Sequence, residues 1–563
     1  MRREVSVVNK KVCSFPILFA LLALLIGTCA VVFPASAQAA PTSTGSITVS
    51  GTVASSYDAY QIFSANVVDG DSDAKIATDL AWASDAVRDA ALPVLHSAGM
   101  PKSQTTAQEA AEWLNTDSHL TSALSAQLTR SLQSSGAVSV ALNAGTTAEL
   151  PCGYWLIVAD DDAIAQGEAG TAPIMALVGG SAVTVKPKAA TPKVAKHVLE
   201  DSTAAWGKAA DATVADDLYW RLSATVPAGL TAYDAYTVQF VDTMGAGLDP
   251  SKVAASMRVY AAAGADGGFD AVSAGRDGRA GTEPAKGWTD ITAQCATKVA
   301  ADGKTFTVRT GDLIAALGGA DAFAAGARVV AVYNAPLNSA CNHGIAKGNP
   351  NEVYLRYPRS PFADQSGDAG FTRTPSDDAC AYTWDLALTK RGSDGDKPLA
   401  GAVLSIADDR GRTLAADGTW DAEGKATVTT GEDGRVTVSG VDSGKLEVRE
   451  LKAPKGYTAF EGMRSVTVKA EGLDVDQVAA AKPKLTITAE SPLRADSADG
   501  STGSLEASLI NTPTGTPPSI TTGGFMPSTG DMAMYAAAAA AVAGAALIVV
   551  ALLVKRGGGS HKE

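Results

Sequence analysis

The sequence predicts a mainly β protein, a row of β-sandwiches in tandem with a helical section inserted into the first. Three observations point there. Apolar residues recur at period two in short runs, as at Leu386 and Leu388, Leu446 and Val448, or Leu505, Ala507 and Leu509, the spacing that puts side chains on one face of a strand. Turns rich in Gly, Asp and Asn separate these runs, and the 55 glycines and 25 prolines follow no fixed period. The chain has 563 residues, 46% of them hydrophobic, enough for about three or four domains with a core each.

The elements follow in order. Residues 1–39 read as a signal peptide: Arg2, Arg3, Lys10 and Lys11 precede an apolar run, then Ala35, Ala37 and Ala39 offer small residues for cleavage. Residues 40–190 open with a strand around Ile47 and Val49, and pass through an Ala-rich section (about 76–134) with helical spacing. They return to strands at Tyr154–Val158. Residues 191–376 and 377–515 show short alternating strands, and 516–525 form an extended stalk. Residues 526–530 are Met-Pro-Ser-Thr-Gly. In 531–563 an apolar stretch, Met532–Val554, has bilayer-spanning length, with Lys555 and Arg556 directly after it.

Composition excludes some functions. A net charge of −14 repels phosphate backbones, so nucleic acid is not an expected partner. Between the signal peptide and the C-terminal pentapeptide, His96, His119, His197 and His343 fall in no triad or metal spacing, and neither a nucleophile elbow nor a phosphate loop is present. No enzyme chemistry, metal or cofactor is expected. Asp69, Asp71 and Asp73 are spaced like a calcium loop, but Ala74 replaces the required Gly and the closing Glu is missing, which leaves a solvated turn. Export to an oxidising compartment leaves Cys152, Cys295, Cys341 and Cys380, which permit two disulfides in any of three pairings.

The polar residues on the apolar strand faces carry the chemistry. In 377–515, Lys390 shares a face with Leu386 and Leu388, Glu450 with Leu446 and Val448, and Asn511 with Leu505, Ala507 and Leu509. Burying a lone Lys or Glu is costly, so the three are expected to meet. Desolvation favours the neutral, nucleophilic amine, and a protonated Glu450 would polarise the Asn511 carbonyl. Attack then expels ammonia and leaves an amide between the Lys390 and Asn511 side chains.

At these motifs the chain resembles sortase-assembled pilus subunits of Gram-positive bacteria. Met526-Pro527-Ser528-Thr529-Gly530, the apolar span and the basic tail resemble a cell-wall sorting signal, with Met where Leu is usual. The resemblance implies cleavage by sortase between Thr529 and Gly530, transfer of Thr529 to an amine, and a secreted protein attached covalently to peptidoglycan. Residues 377–515 resemble a CnaB-like domain through Leu388-Thr389-Lys390, Lys397–Ala402, the box Glu450–Tyr457 and Asn511-Thr512-Pro513. This implies Ig-like sandwiches with an isopeptide bond between Lys390 and Asn511, catalysed by Glu450.

Residues 191–376 resemble the middle domain of the same shaft proteins, with Lys196 as the reactive lysine and Asp242 as the catalytic acid. Arg359 stands where the family's Asn is usual. The expectation is therefore no bond at Lys196, with Arg359 pairing Asp242, or else Asn351 serving in its place. Val183, Val185, Lys186, Pro187 and Lys188 resemble the end of the pilin motif, whose lysine joins subunits. Lys188, on the opposite parity from the valines, is expected to face solvent. The resemblance implies a shaft subunit of a covalent pilus, linked from Thr529 to Lys188 of a copy, with tip and base pilins as further partners. The alternative is a monomeric wall-anchored adhesin for a host ligand.

Overall fold

The computed structural model describes residues 43–71, 74–116, 118–188, 190–269 and 286–515. The signal peptide, Thr529 with its pentapeptide, and the apolar span lie outside these residues. Among the described residues no helix is long and apolar enough to cross a membrane.

In the first unit a five-stranded sheet has different partners on its two faces. The strands Lys75–Trp82, Ser56–Asp69, Gly153–Ala159 and Ile174–Val178 lie in that order, with Val140–Asn143 also beside Ser56–Asp69. Ile62, Leu156 and Val158 point to one side, onto Leu95, Leu114 and Leu128 of the helices Asp85–Ser97, Ala107–Asn115 and Ser122–Ser135. Tyr57, Trp155 and Ile157 point to the other, onto a three-stranded sheet of Thr147–Pro151, Thr44–Val49 and Val183–Val185. The helices start where the sequence supplies caps. Ser84 accepts from Val87 N, and Thr106 with Glu109 forms a reciprocal capping box. The expected helical section begins late, since Lys75–Trp82 is a strand paired to Ser56–Asp69. Its alanines satisfy either periodicity, and the ladder decides. Asp69 ends the strand Ser56–Asp69, and its carboxylate accepts from Ser181 N at 2.9 Å.

The middle unit is a sandwich of a six- and a seven-stranded sheet. Trp220, Phe240, Phe306 and Tyr333 fill its core. Asp377–Tyr382 pairs with Asn349–Pro358 and with Ala209–Asp211, so it completes this unit's sheet. The boundary expected at 376/377 thus moves past Tyr382. Nothing in the local pattern of this strand distinguishes the sheet it joins from the next.

The third unit is a second two-sheet sandwich. Trp384–Gly392 lies between Arg435–Val441 and Ser504–Pro513, and pairs in parallel with the latter. The opposing sheet carries Val403–Ala407, Gly444–Lys452 and Met463–Glu471.

Polar contacts fasten the units to each other. Between the middle and third units, Asp211 accepts from Trp384 Nε1 (2.6 Å) and Ser443 N (3.0 Å), and Ile345 N donates to Gly500 O (3.0 Å). Between the first and middle units, Tyr357 donates to Gly167 O (2.7 Å), and Arg130 lies 3.0 Å from Asp234. All four cysteines in the described residues are free thiols, which corrects the disulfide expectation. Cys152 sits in the first unit's core, Cys295 follows a short turn, Cys341 faces His343, and Cys380 lies in the middle unit's sheet. Burial pushes the thiols of Cys295, Cys341 and Cys380 up to about 11.

Candidate functional site

Two buried lysine clusters, one in each of the last two units, stand out among the described residues. In the third unit the parallel pairing sets Lys390 opposite Leu509 and Gly392 opposite Asn511. Lys390 and Asn511 therefore point from neighbouring strands to one face, two positions out of step. Glu450 reaches them from the opposite sheet. Both charged side chains are completely buried, and Asn511 is 2% exposed.

Lys390 Nζ donates to Asn511 Oδ1, while Asn511 Nδ2 donates to Glu450 Oε1 and Oε2 at 2.9 and 3.0 Å. Nζ is 3.4 Å from Glu450 Oε1. Phe460 N adds a donor to Glu450 at 3.1 Å. This corrects one expectation: Glu450 accepts from the carboxamide nitrogen and does not donate to its oxygen. The amine occupies the oxygen's side, so the amide hydrogens are left for the carboxylate. Burial lowers the Lys390 pKa from 10.5 to about 8, against the opposing pull of Glu450.

The middle unit repeats the theme with different partners. Lys196 and Asp242 are wholly buried and in contact. Tyr333 sits among them, its hydroxyl accepting from Lys196 Nζ at 2.9 Å and from Asn351 Nδ2 at 2.8 Å, and donating to Asp242 Oδ2 at 3.1 Å. Burial drives both partners toward neutrality, lowering Lys196 to about 8 and raising Asp242. Asn351 Oδ1 and Asp242 Oδ1 are buried without a hydrogen-bond partner.

Arg359 does not reach Asp242. It lies past the end of the strand Asn349–Pro358 and donates to Asp161 O of the first unit at 3.1 Å. Asn351, Val353, Leu355 and Tyr357 share the inward parity, and the strand ends before 359, so Asn351 is the residue delivered to the cluster. Tyr333 was missed at the sequence level. Its run Val329–Tyr333 reads as plain core, and the only signal was a phenol that needs a buried partner.

Lys188 follows the edge strand Val183–Val185, which pairs in parallel with Thr44–Val49. Pro187 is buried and Lys188 exposed, as parity requires, and Lys186 and Lys193 are exposed too. Exposure alone does not select among the three.

Comparison with known proteins finds a likeness in the third unit. Residues 385–482 match the family model described as SpaA, prealbumin-like fold domain. The trypsin-resistant surface T6 protein of Streptococcus pyogenes serotype M6 is 31% identical over 134 residues, 22% of this chain. The chain spans 23% of that relative's length. Among solved structures, the T6 backbone pilin of S. pyogenes serotype M6 aligns with 84% of this chain and 98% of its own at a TM-score of 0.45 and 16% identity. The full-length major pilin SpaD of Corynebacterium diphtheriae covers the same shares at 0.40 and 16%.

The depressed Lys390 pKa has a consequence for stability. Between about pH 8 and 10.5 the unfolded chain holds a proton on this amine that the folded chain has released. Stability must then rise with pH across that window, the usual cost of a charged buried lysine being lost. Asn511→Ala leaves Lys390 beside Glu450 with no carboxamide. Relative to Asn511→Ala with Lys390→Met, urea denaturation should show this variant gaining stability from pH 8 to 10.5. A difference that is flat or falls with pH would contradict the burial argument.

Proposed function

We propose that this chain is the structural shaft subunit of a covalently polymerised pilus on a Gram-positive cell wall. The observation that carries this is the buried triangle of Lys390, Glu450 and Asn511 across the first and last strands of the third unit. Such a triangle suits intramolecular amide formation. The neutral Nζ adds to Cγ of Asn511. Glu450 Oε1, 3.4 Å from Nζ and 2.9 Å from Nδ2, takes a proton from the first and passes it to the second. The C–N bond to Nδ2 breaks, ammonia leaves, and an amide joins the side chains. Proximity supplies what free amines and amides lack.

The link closes 121 residues, and by the loop-entropy estimate stabilises the unit by about 4–5 kcal/mol. It also sets the route of a pulling force. Tension entering at Trp384 runs to Lys390, crosses to Asn511 and leaves along the stalk, so the chain between them carries none of it. In the middle unit the delivery of Asn351, and not Arg359, to Lys196 and Asp242 supports a second bond, reversing the expectation of a missing one. The orphaned Asn351 carbonyl would become part of the new amide.

Polymerisation rests on the two ends. Sortase would form an acyl-enzyme at Thr529, and Lys188 of a neighbouring copy would resolve it, growing a fibre. Peptidoglycan amines would resolve the last one and anchor it, and tip and base pilins would complete the pilus. Lys188 is exposed and held by the buried Pro187, whose ring fixes φ.

Intact-mass measurement of the secreted protein should show the loss of two ammonias. Glu450→Ala should restore one of them and lower the melting temperature, and Asn351→Ala should restore the other. A wild-type mass without loss would overturn both bonds.

Wall extracts should contain a detergent-resistant ladder of multimers. Lys188→Ala should collapse it to monomer, while Lys186→Ala and Lys193→Ala should leave it intact. A ladder surviving Lys188→Ala would refute that linkage, and monomer alone in the wild type would refute the shaft.

A further inference from the structure

A cleft of about 390 Å³ lies where the first unit meets the middle one, walled by Ile164, Gln166, Tyr354, Phe371 and three arginines, Arg356, Arg359 and Arg373. One carboxylate, Asp368, shares it, 3.0 Å from Arg356 and largely in solvent. Three guanidinium groups and one carboxylate line it, with Asp161 and Asp162 beside Arg359, so the lining itself carries an excess of cations in a chain of net charge −14.

The register makes it more so. Arg356 and Arg373 stand directly opposite each other on the antiparallel strands Asn349–Pro358 and Phe371–Arg373. Like charges in that position repel and weaken the pairing. Arg373 is held over the Tyr354 ring at 5.0 Å. Arg359 donates to Asp161 O and lies 3.9 Å from the fully exposed Asp162. The joint between the units thus gathers three cations around one concavity.

We infer that this cleft binds a carboxylate-bearing sugar. Guanidinium forks match a carboxylate with two parallel hydrogen bonds, which an ammonium cannot do. Ile164 and the edge of Tyr354 offer apolar surface for the C–H face of a sugar ring, and the Gln166 amide suits hydroxyl groups. The volume falls in the range of small-molecule sites. Size also speaks against an acidic protein segment. A long anion would extend past the screening length of about 8–10 Å into the field of an acidic surface, whereas a single sugar stays within the cleft's own field. The site is independent of the shaft chemistry, since none of its residues takes part in the lysine clusters.

Isothermal titration of the full chain with glucuronate and N-acetylneuraminate should show saturable binding at one site for at least one of them, weakening as salt is raised. Glucose should give none, and inorganic phosphate should bind at least tenfold more weakly. Arg356→Gln and Arg373→Gln, each removing one side of a repulsive pair, should fold normally and lose at least tenfold in affinity. Arg435→Gln, on the third unit, should lose nothing. Absence of saturable binding to either acidic sugar overturns the inference. Phosphate binding as tightly as the sugars overturns the sugar assignment in favour of a general anion site. Unchanged affinity in both arginine variants overturns the location.

Discussion

The third unit depends on one constraint: an ammonium cannot remain alone in a sandwich core. Lys390 is completely buried, and Glu450 and Asn511 are the polar groups brought to it. A charge in that position costs several kcal/mol unless it is paired or neutralised. The arrangement answers in two stages. Glu450 first makes burial tolerable, and desolvation lowers the amine's pKa to about 8, which eases loss of its proton. The proposed amide would then remove the charge permanently, because ammonia would depart to water. A site that is costly as an ion pair would become an ordinary buried amide. The middle unit meets the same constraint with Lys196, Asp242, Asn351 and Tyr333, the phenol taking the place of a direct amine-to-carboxamide contact.

From this constraint the architecture acquires a direction. Lys390 and Asn511 lie on neighbouring parallel strands, the first and the last of the unit. The proposed link there would join entrance to exit. The joint between units is built in the same spirit, with Asp211 of the middle unit receiving Trp384 and Ser443 of the third at the point where the chain crosses over. With the proposed links formed, tension along the chain would meet them and the polar joints before it met the sheet ladders.

Much of this was legible in period two. Leu386, Leu388 and Lys390 on one parity, and likewise Glu450 and Asn511 with their apolar neighbours, identify three inward polar groups whose meeting only required that the strands share a core. What period two does not carry is where a strand stops. Arg359 has the same parity as Asn351, and only the end of the strand at Pro358 sends it to the first unit instead of into the middle core. Strand membership was equally hidden, since Asp377–Tyr382 reads as a strand whichever unit claims it. The cysteine count permitted pairings that the fold does not make. The arginine cleft was illegible for the opposite reason. Its members stand apart in sequence, and only the register of two strands and the contact of two units bring them together.

The central claim is that a covalent bond joins Lys390 to Asn511, and pulling a single whole molecule from its two ends tests it most directly. With the bond in place the third unit yields no extension, because the residues between the linked side chains are bypassed. Without it, unfolding would release about 40 nm for those residues at roughly 3.5 Å each. A force trace lacking that step, and regaining it in Glu450→Ala, is the predicted result. A step of that length in the wild-type molecule would contradict the account.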